Sequence, residues 1–267
     1  MEPKINTVCA KEIKMRYFTF GEGTKDMVIL PGLSIIPVME SAKAVADAYA
    51  MFGKEYRVWV FERRENLPDE YSVEEMANDT AKIMKSLNIK DACIFGTSQG
   101  GMMAQVIAIR YPELVRKMIL ASTCADTASL DGESAIGEWI DLAEKKKIHE
   151  LNRSLAEKIY APETVRRFKE VFDGMEEAIT EERLARFLIL ARGIKEFNIS
   201  GSLNAIRCPV LVLGSVDDKV IDSALMEKLA EEAGAQIYLY KGYGHAVYDE
   251  APDFKERIME FFRAENA

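Results

Sequence analysis

The stretch Ala92-Cys93-Ile94-Phe95-Gly96-Thr97-Ser98-Gln99-Gly100-Gly101 decides how this chain folds. Its first four residues are a short apolar run bounded by glycine, the pattern of a buried strand. Gln99–Tyr111 has helical spacing and is stopped by Pro112. A strand that passes into a helix within three residues needs a sharp turn, and neighbours without side chains let that turn close. Ser98 then stands at its apex, with its hydroxyl projecting above the edge of a sheet. A Gly-x-Ser-x-Gly string arises by chance in about one chain in twenty of this length, so the string alone is weak. Its place between a strand and a helix makes it specific.

Working outward, strands and helices alternate on both sides of the turn. Ile13–Phe20 alternates in strand fashion up to Gly21-Glu22-Gly23, and Met27–Leu30 is an apolar run closed by Pro31-Gly32. Met39–Phe52 has helical spacing, and Arg57–Phe61 is rich in valine and aromatics. Ser72 and Glu75 form a capping box ahead of a helix reaching about Leu87. Lys117–Ala121 reads as another strand. This β-α-β-α rhythm predicts a parallel sheet with helices on both faces, its ligand site at the carboxyl ends of the strands.

The rhythm breaks at about Asp126. From there to Ser200 the pattern holds helices only, over approximately Ser134–Ile148, Leu151–Tyr160, Glu163–Gly174 and Glu181–Phe197. This segment carries 16 acidic and 12 basic residues, as a layer of amphipathic helices with much solvated surface would. The run Lys145-Lys146-Lys147 belongs to such a face. Alternation resumes with Pro209–Leu213, a helix near Ser223–Ala233, the strand Gln236–Tyr240 and a terminal helix from Pro252. Residues 1–125 and 201–267 therefore make one core, and 126–200 is an inserted helical cap.

Composition narrows the function. A chain of 267 residues, 48% hydrophobic and 30% charged, has the make-up of a soluble globular protein and can bury a core without disulfides or metals. Its formal net charge of −9 repels phosphate backbones and anionic membranes, so neither nucleic acid nor a membrane is an expected partner. Cys9, Cys93, Cys124 and Cys208 are scattered, with no metal-ligand spacing, and read as reduced thiols. The first residues lack an apolar signal core, and no apolar stretch approaches the ~20 residues needed to span a bilayer. A reducing cytoplasm is the expected location. No metal or other cofactor is expected: the chain has only two histidines, far apart, and no Gly-x-Gly-x-x-Gly turn after its first strand.

A serine hydroxyl is a poor nucleophile unless a base takes its proton. Of the two histidines, His149 lies in the helical insertion, whereas His245 follows the strand Gln236–Tyr240 and emerges at the same sheet edge as Ser98. His245 is the candidate base. Asp217 and Asp218, just past the buried strand Leu211–Gly214, are both candidates for the carboxylate that orients it. The chain order is then Ser, Asp, His.

With these residues the chain resembles the α/β-hydrolase superfamily. Gly96-Thr97-Ser98-Gln99-Gly100 looks like its nucleophile elbow. Pro31-Gly32-Leu33 is similar to its oxyanion loop, with Pro in place of the usual His, a side chain that often braces that loop. Cys208–Gly214 with Asp217 resembles its acid strand, and Gly244-His245 followed by Glu250 and Pro252 resembles its histidine loop. The resemblance covers Ile13–Ala125 and Gly201–Phe262 and is strongest to single-lid members such as enol-lactonases and carboxylesterases. It implies a mostly parallel, eight-stranded-type sheet with a helical cap.

It further implies a triad of Ser98, Asp217 and His245. The acid of such proteins falls three residues after the strand-end glycine, which is Gly214, with a hydrophobic residue three further on, which is Val220. Asp218 would then begin the next loop. An acid after the sixth strand, as in some relatives, would instead be Asp126. Backbone N–H groups of Leu33 and Gln99 are the implied oxyanion hole, each such donor contributing ~3 kcal/mol to the transition state.

The expected activity is hydrolysis of a small or medium ester, lactone or thioester, the small-molecule acyl partner, through an acyl-enzyme. Met102 and Trp139 are candidates for pocket walls or for ordinary core packing. A carbon–carbon bond hydrolase with the same triad is the nearest rival and would want cations such as Arg63, Arg64 or Arg192 for a substrate carboxylate. A non-catalytic ligand receptor on the same fold is the rival from another class. Serine at position 98 excludes dehalogenase and epoxide hydrolase chemistry, which need a carboxylate nucleophile. A homo-oligomer is possible, but nothing in the sequence indicates one.

Overall fold

In the computed structural model, which describes residues 1–128 and 134–265, the chain opens with an antiparallel hairpin, β1 (Lys4–Ala10) and β2 (Ile13–Phe20). There follow β3 (Lys25–Leu30), α1 (Ala42–Ala48), β4 (Tyr56–Arg64), α2 (Val73–Ser86), β5 (Ala92–Thr97), α3 (Gln99–Arg110) and β6 (Val115–Ala121). Five helices come next: α4 (Ala135–Glu144), α5 (Ile148–Ile159), α6 (Pro162–Arg167), α7 (Lys169–Met175) and α8 (Glu181–Arg192). The chain closes with β7 (Val210–Ser215), α9 (Ser223–Ala233), β8 (Gln236–Tyr240), the short α10 (Val247–Glu250) and α11 (Phe254–Arg263).

The eight strands form one sheet in the order β1-β2-β4-β3-β5-β6-β7-β8. Only β2 runs against the rest: it pairs antiparallel with both β1 and β4, and the six strands β4, β3, β5, β6, β7 and β8 are parallel. Side chains alternate between two apolar layers, as the period of two requires. Val28, Leu30, Trp59, Phe61 and Ile94 face α2, α3 and α9, whereas Met27, Ile29, Val58, Val60 and Phe95 face α1 and α11. Met102 and Trp139, considered above as pocket walls, are both buried in the first of these layers.

Most expected elements are present, and α2 starts at the capping box: Ser72 Oγ accepts from Glu75 N while the Glu75 carboxylate accepts from Ser72 N. Three differ. The helix expected over Met39–Phe52 is a 3-10 turn, α1 and a second 3-10 turn. Its buried residues, Met39, Ala42, Ala46, Tyr49 and Phe52, are spaced mostly by three, which suits the tighter winding. The helix expected over Glu163–Gly174 is broken at Phe168 into α6 and α7. Strand β1 was not expected, because its residues are mostly exposed and it is held by main-chain pairing with β2 rather than by an apolar face.

Helix α3 lies so close to the sheet that ten of its twelve residues are buried. A Cβ added at Gly100 would fall 1.9 Å from the carbonyl oxygen of Leu30 in β3. Gly100→Ala is therefore expected to destabilise the protein by about 1–3 kcal/mol or more, the range for overpacking a close contact. Denaturant unfolding checks this, and a loss under about 0.5 kcal/mol, the size of an ordinary surface change, would show that α3 can shift.

Candidate active site

The carboxyl ends of β5, β6, β7 and β8 lie along one edge of the sheet, and the loops leaving them carry the candidate residues. Ser98 sits between β5 and α3 at φ 50° and ψ −120°, a conformation that costs a non-glycine residue about 1–3 kcal/mol. Its backbone is held from all sides. Ser98 N donates to Ala121 O at 2.9 Å, and Ser98 O accepts from Gly101 N at 2.8 Å and from Thr123 Oγ1 at 2.8 Å. A Cβ at Gly96 would lie 2.6 Å from Gly100 O, so the turn closes only with glycine there.

The end of β6 also holds the histidine loop. Ser122 Oγ donates to His245 O at 2.7 Å, and Ser215 Oγ, at the end of β7, donates to Tyr243 O at 2.6 Å. These bonds place His245 above the same edge as Ser98. Its imidazole is nearly enclosed, 5% exposed, and Nδ1 lies 2.8 Å from Asp218 Oδ2, whose side chain is fully buried. A carboxylate only accepts, so Nδ1 carries the proton and Nε2 presents its lone pair. The other oxygen of Asp218 accepts from Val220 N at 2.7 Å and Ile221 N at 3.0 Å.

This corrects the expectation for Asp217. That residue is exposed, and its carboxylate accepts from Gly242 N at 2.7 Å rather than from the imidazole. The reason lies in the turn after β7. Asp217 N donates to Ser215 Oγ and Asp218 N to Ser215 O, a tight bend that sends position 217 outward and position 218 in. Asp126 is not the partner either; its Oδ1 accepts from Ala128 N, and its backbone bridges to Asn198. His149 is exposed and paired with Glu176.

The loop Pro31–Leu33 passes directly beside Ser98: a Cβ at Gly32 would stand 3.2 Å from Ser98 Cβ. Leu33 follows Gly32, and Gln99 opens α3, where first-turn N–H groups have no acceptor within the helix. Both N–H groups expected in the oxyanion hole thus belong to segments adjoining Ser98. The positive end of α3 points the same way.

A cavity of about 340 Å³ adjoins this edge, bounded by Gly32, Leu33 and Thr97 on the sheet side and by Leu155, Ile159 and Phe172 of the helical insertion. Among the residues lining it none is charged. Larger clefts of about 510 and 560 Å³ lie elsewhere, one at the amino ends of the strands around Lys25 and Arg116, the other beside Gln236 and Arg257. Neither is lined by a neighbour of Ser98, whereas the 340 Å³ cavity, though not lined by Ser98, His245 or Asp218 themselves, reaches the site through Thr97 and Gly32. The three arginines considered as carboxylate anchors do not line the cavity. Arg64 is bound to Asp79 and to Glu12 O, and Arg192 to Glu144 on the surface.

Arg63 is buried, and its Nη2 donates to Pro31 O at 2.8 Å and to Gln99 Oε1 at 2.9 Å. Burial lowers the pKa of its guanidinium. Sequence reading missed this arrangement, as it missed Ser122 and Thr123; the pair of hydroxyls directly after a buried strand was the one available signal for the latter.

The insertion is bonded to the site at several points. Gln99 Nε2 donates to Leu190 O in α8, and Arg186 of α8 reaches the Arg64 carbonyl and Glu62. At the end of α5, Ile159 O accepts from Ala246 N, while Glu250 accepts from both Ala161 N and Gly244 N.

Three of the four cysteines are poorly suited to act as nucleophiles. Burial pushes the thiols of Cys93 and Cys208 up to about 11 and that of Cys124 up to about 12. Among the described residues no cluster of three or more His, Cys, Asp or Glu is placed to hold a metal ion, and no helix is long and apolar enough to cross a membrane.

Residues 53–252 match the family described as alpha/beta hydrolase fold. A Rhizobium rhizogenes protein provisionally named carbamate hydrolase RutD is 28% identical over 211 residues, 74% of this chain and 77% of its own. The 2-hydroxy-6-oxo-6-phenylhexa-2,4-dienoate hydrolase of Comamonas testosteroni is 28% identical over 190 residues, 68% of this chain and 66% of its own. The enol-lactonase of Burkholderia xenovorans LB400 superposes with a TM-score of 0.84 at 17% identity, covering 97% of this chain and 100% of that one.

The His245–Asp218 contact predicts a protected Nδ1–H signal in the far-downfield proton spectrum. Asp218→Asn should abolish or strongly shift it, and Asp217→Asn should leave it in place. The opposite pattern would return the role to Asp217.

Proposed function

Because this chain belongs to the alpha/beta hydrolase fold family, we propose that it is a serine hydrolase acting on a small or medium, largely apolar ester, lactone or thioester. The observation that carries this reading is the enclosed His245–Asp218 pair at 2.8 Å, set on the same strand edge as the strained Ser98 turn. Nothing in ordinary core packing calls for a buried imidazole–carboxylate pair beside a serine at positive φ.

The chemistry follows from these groups. His245 Nε2 takes the Ser98 hydroxyl proton as Oγ bonds to the substrate carbonyl carbon. Negative charge collects on the carbonyl oxygen, facing the N–H groups of Leu33 and Gln99, while Asp218 stabilises the imidazolium. The tetrahedral intermediate collapses, the bond to the leaving oxygen or sulfur breaks, and His245 delivers the proton to it. Water, deprotonated by the same Nε2, then attacks the acyl-enzyme and frees the acid and Ser98.

We read residues 126–200 as a cap whose α5–α7 region closes the apolar chamber. Its uncharged lining supports a neutral acyl group over one bearing a carboxylate. The carbon–carbon hydrolase reading loses its anchors, since Arg63, Arg64 and Arg192 are engaged elsewhere. A carbamate carbonyl would follow the same route as an ester and belongs in the substrate panel.

A fluorophosphonate should label Ser98 in the folded protein and not in Ser98→Ala; absence of the adduct in wild type would sink the hydrolase reading in favour of a ligand receptor. Asp218→Asn should lower kcat by about 10⁴, as loss of the orienting carboxylate does in such triads. Asp217→Asn should stay within about threefold of wild type, the behaviour of a surface residue whose side chain does not touch the imidazole. Among p-nitrophenyl esters graded by length, neutral aliphatic acyl groups should exceed a succinyl half-ester at least tenfold in kcat/KM. A preference for the anionic ester would overturn the apolar-chamber assignment.

A further inference from the structure

The loop that carries Leu33 starts at Pro31, and proline has no side chain able to brace it through a hydrogen bond. Its brace comes instead from β4. Arg63 is 3% exposed, and its single Nη2 donates to Pro31 O at 2.8 Å and to Gln99 Oε1 at 2.9 Å. The amide of Gln99 is a crossbar, because its Nε2 donates to Leu190 O at 2.8 Å. One guanidinium nitrogen therefore links the two segments that, on the reading above, supply the oxyanion hole.

Other features make this more than a surface contact. Arg63 Nε is buried with no hydrogen-bond partner, so the group is kept in place at a cost in unsatisfied donors. No salt bridge ties its guanidinium to a carboxylate among the described residues; the neighbouring Glu62 accepts from Arg63 N, Val38 N and Arg186 instead. A buried cation whose partners are a carbonyl and an amide adds positive potential beside the place where an oxyanion forms.

We propose that Arg63 is a positioning residue that sets the spacing of the oxyanion hole, acting through Pro31 O and the Gln99 side chain, a role that rests on the serine-hydrolase reading above. Its effect falls on the transition state: the ground-state carbonyl is bound by the apolar chamber, whereas the charged oxygen depends on both N–H groups at the correct separation. Arg63→Met is expected to lower kcat for a p-nitrophenyl ester by about ten- to a hundredfold, less than outright loss of an oxyanion donor, with KM changed less than threefold. Arg63→Lys, whose one ammonium can reach both oxygens, should recover most of kcat.

The deciding measurement compares two ligands of equal shape, an alkyl trifluoromethyl ketone, which adds to the serine and forms the oxyanion, and the corresponding methyl ketone, which does not. Arg63→Met should weaken the trifluoromethyl ketone about ten- to a hundredfold and leave the methyl ketone unchanged, as expected of a group felt only by the charged oxygen. Equal weakening of both, or of neither, would overturn the proposal. If Arg63→Met does not fold, Arg63→Gln takes its place, and equal losses in the Gln and Lys variants would overturn it as well. Wild-type protein that fails to bind the trifluoromethyl ketone or to accept a fluorophosphonate would reject the hydrolase reading itself, a result separable from any behaviour of the variants.

Discussion

A serine at φ 50° cannot hold itself there, and the active edge of this protein is arranged around that fact. The end of β6 supplies the restraint. Ala121 O and Thr123 Oγ1 fix the two sides of the Ser98 peptide, while Ser122 between them, itself at φ 48°, turns its hydroxyl to the backbone of His245. Three consecutive residues of one strand end thus register Ser98 and His245 against each other. The parallel neighbours β5, β7 and β8 make this possible, since each delivers its loop at the same height. The strain at Ser98, about 1–3 kcal/mol, is small beside the layers of buried side chains on either face.

The architecture was largely legible because glycine and apolar runs leave strong local marks. Gly96 and Gly100 announce the turn, Ser72 and Glu75 the start of α2, and the absence of strand patterns after Asp126 the helical insertion. Local marks fail where a contact joins distant parts of the chain. The choice between Asp217 and Asp218 turns on a bend set by Ser215, and an offset of one residue reverses which carboxylate faces inward. Arg63 is the sharper case. Arginine on a β-strand reads as solvated charge, and only its burial beneath Pro31 and Gln99 shows otherwise.

Charge is distributed in a way that suits the proposed chemistry. The net −9 lies on the outside, and the chamber beside Ser98 has an uncharged lining. Close to Ser98 two charged features are enclosed, the Asp218 carboxylate on the His245 imidazole and the Arg63 guanidinium on the Pro31–Leu33 loop. They have opposite signs. Burial strengthens the field of each, because an enclosed charge is screened less than one in water.

The hydrogen bonds between the helical insertion and the strand edge bear on how such proteins can change. Leu190 O receives the Gln99 amide, Ile159 O receives Ala246 N, and Glu250 ties Ala161 to Gly244 on either side of the histidine. The insertion is therefore not a cassette that can be trimmed or traded between relatives while the core stays intact. Excising it would strip Gln99 Nε2 and Ala246 N, beside Ser98 and His245, of their acceptors. On the proposed reading, side chains along α5–α7 can vary while the main-chain seams on α5 and α8 stay closed.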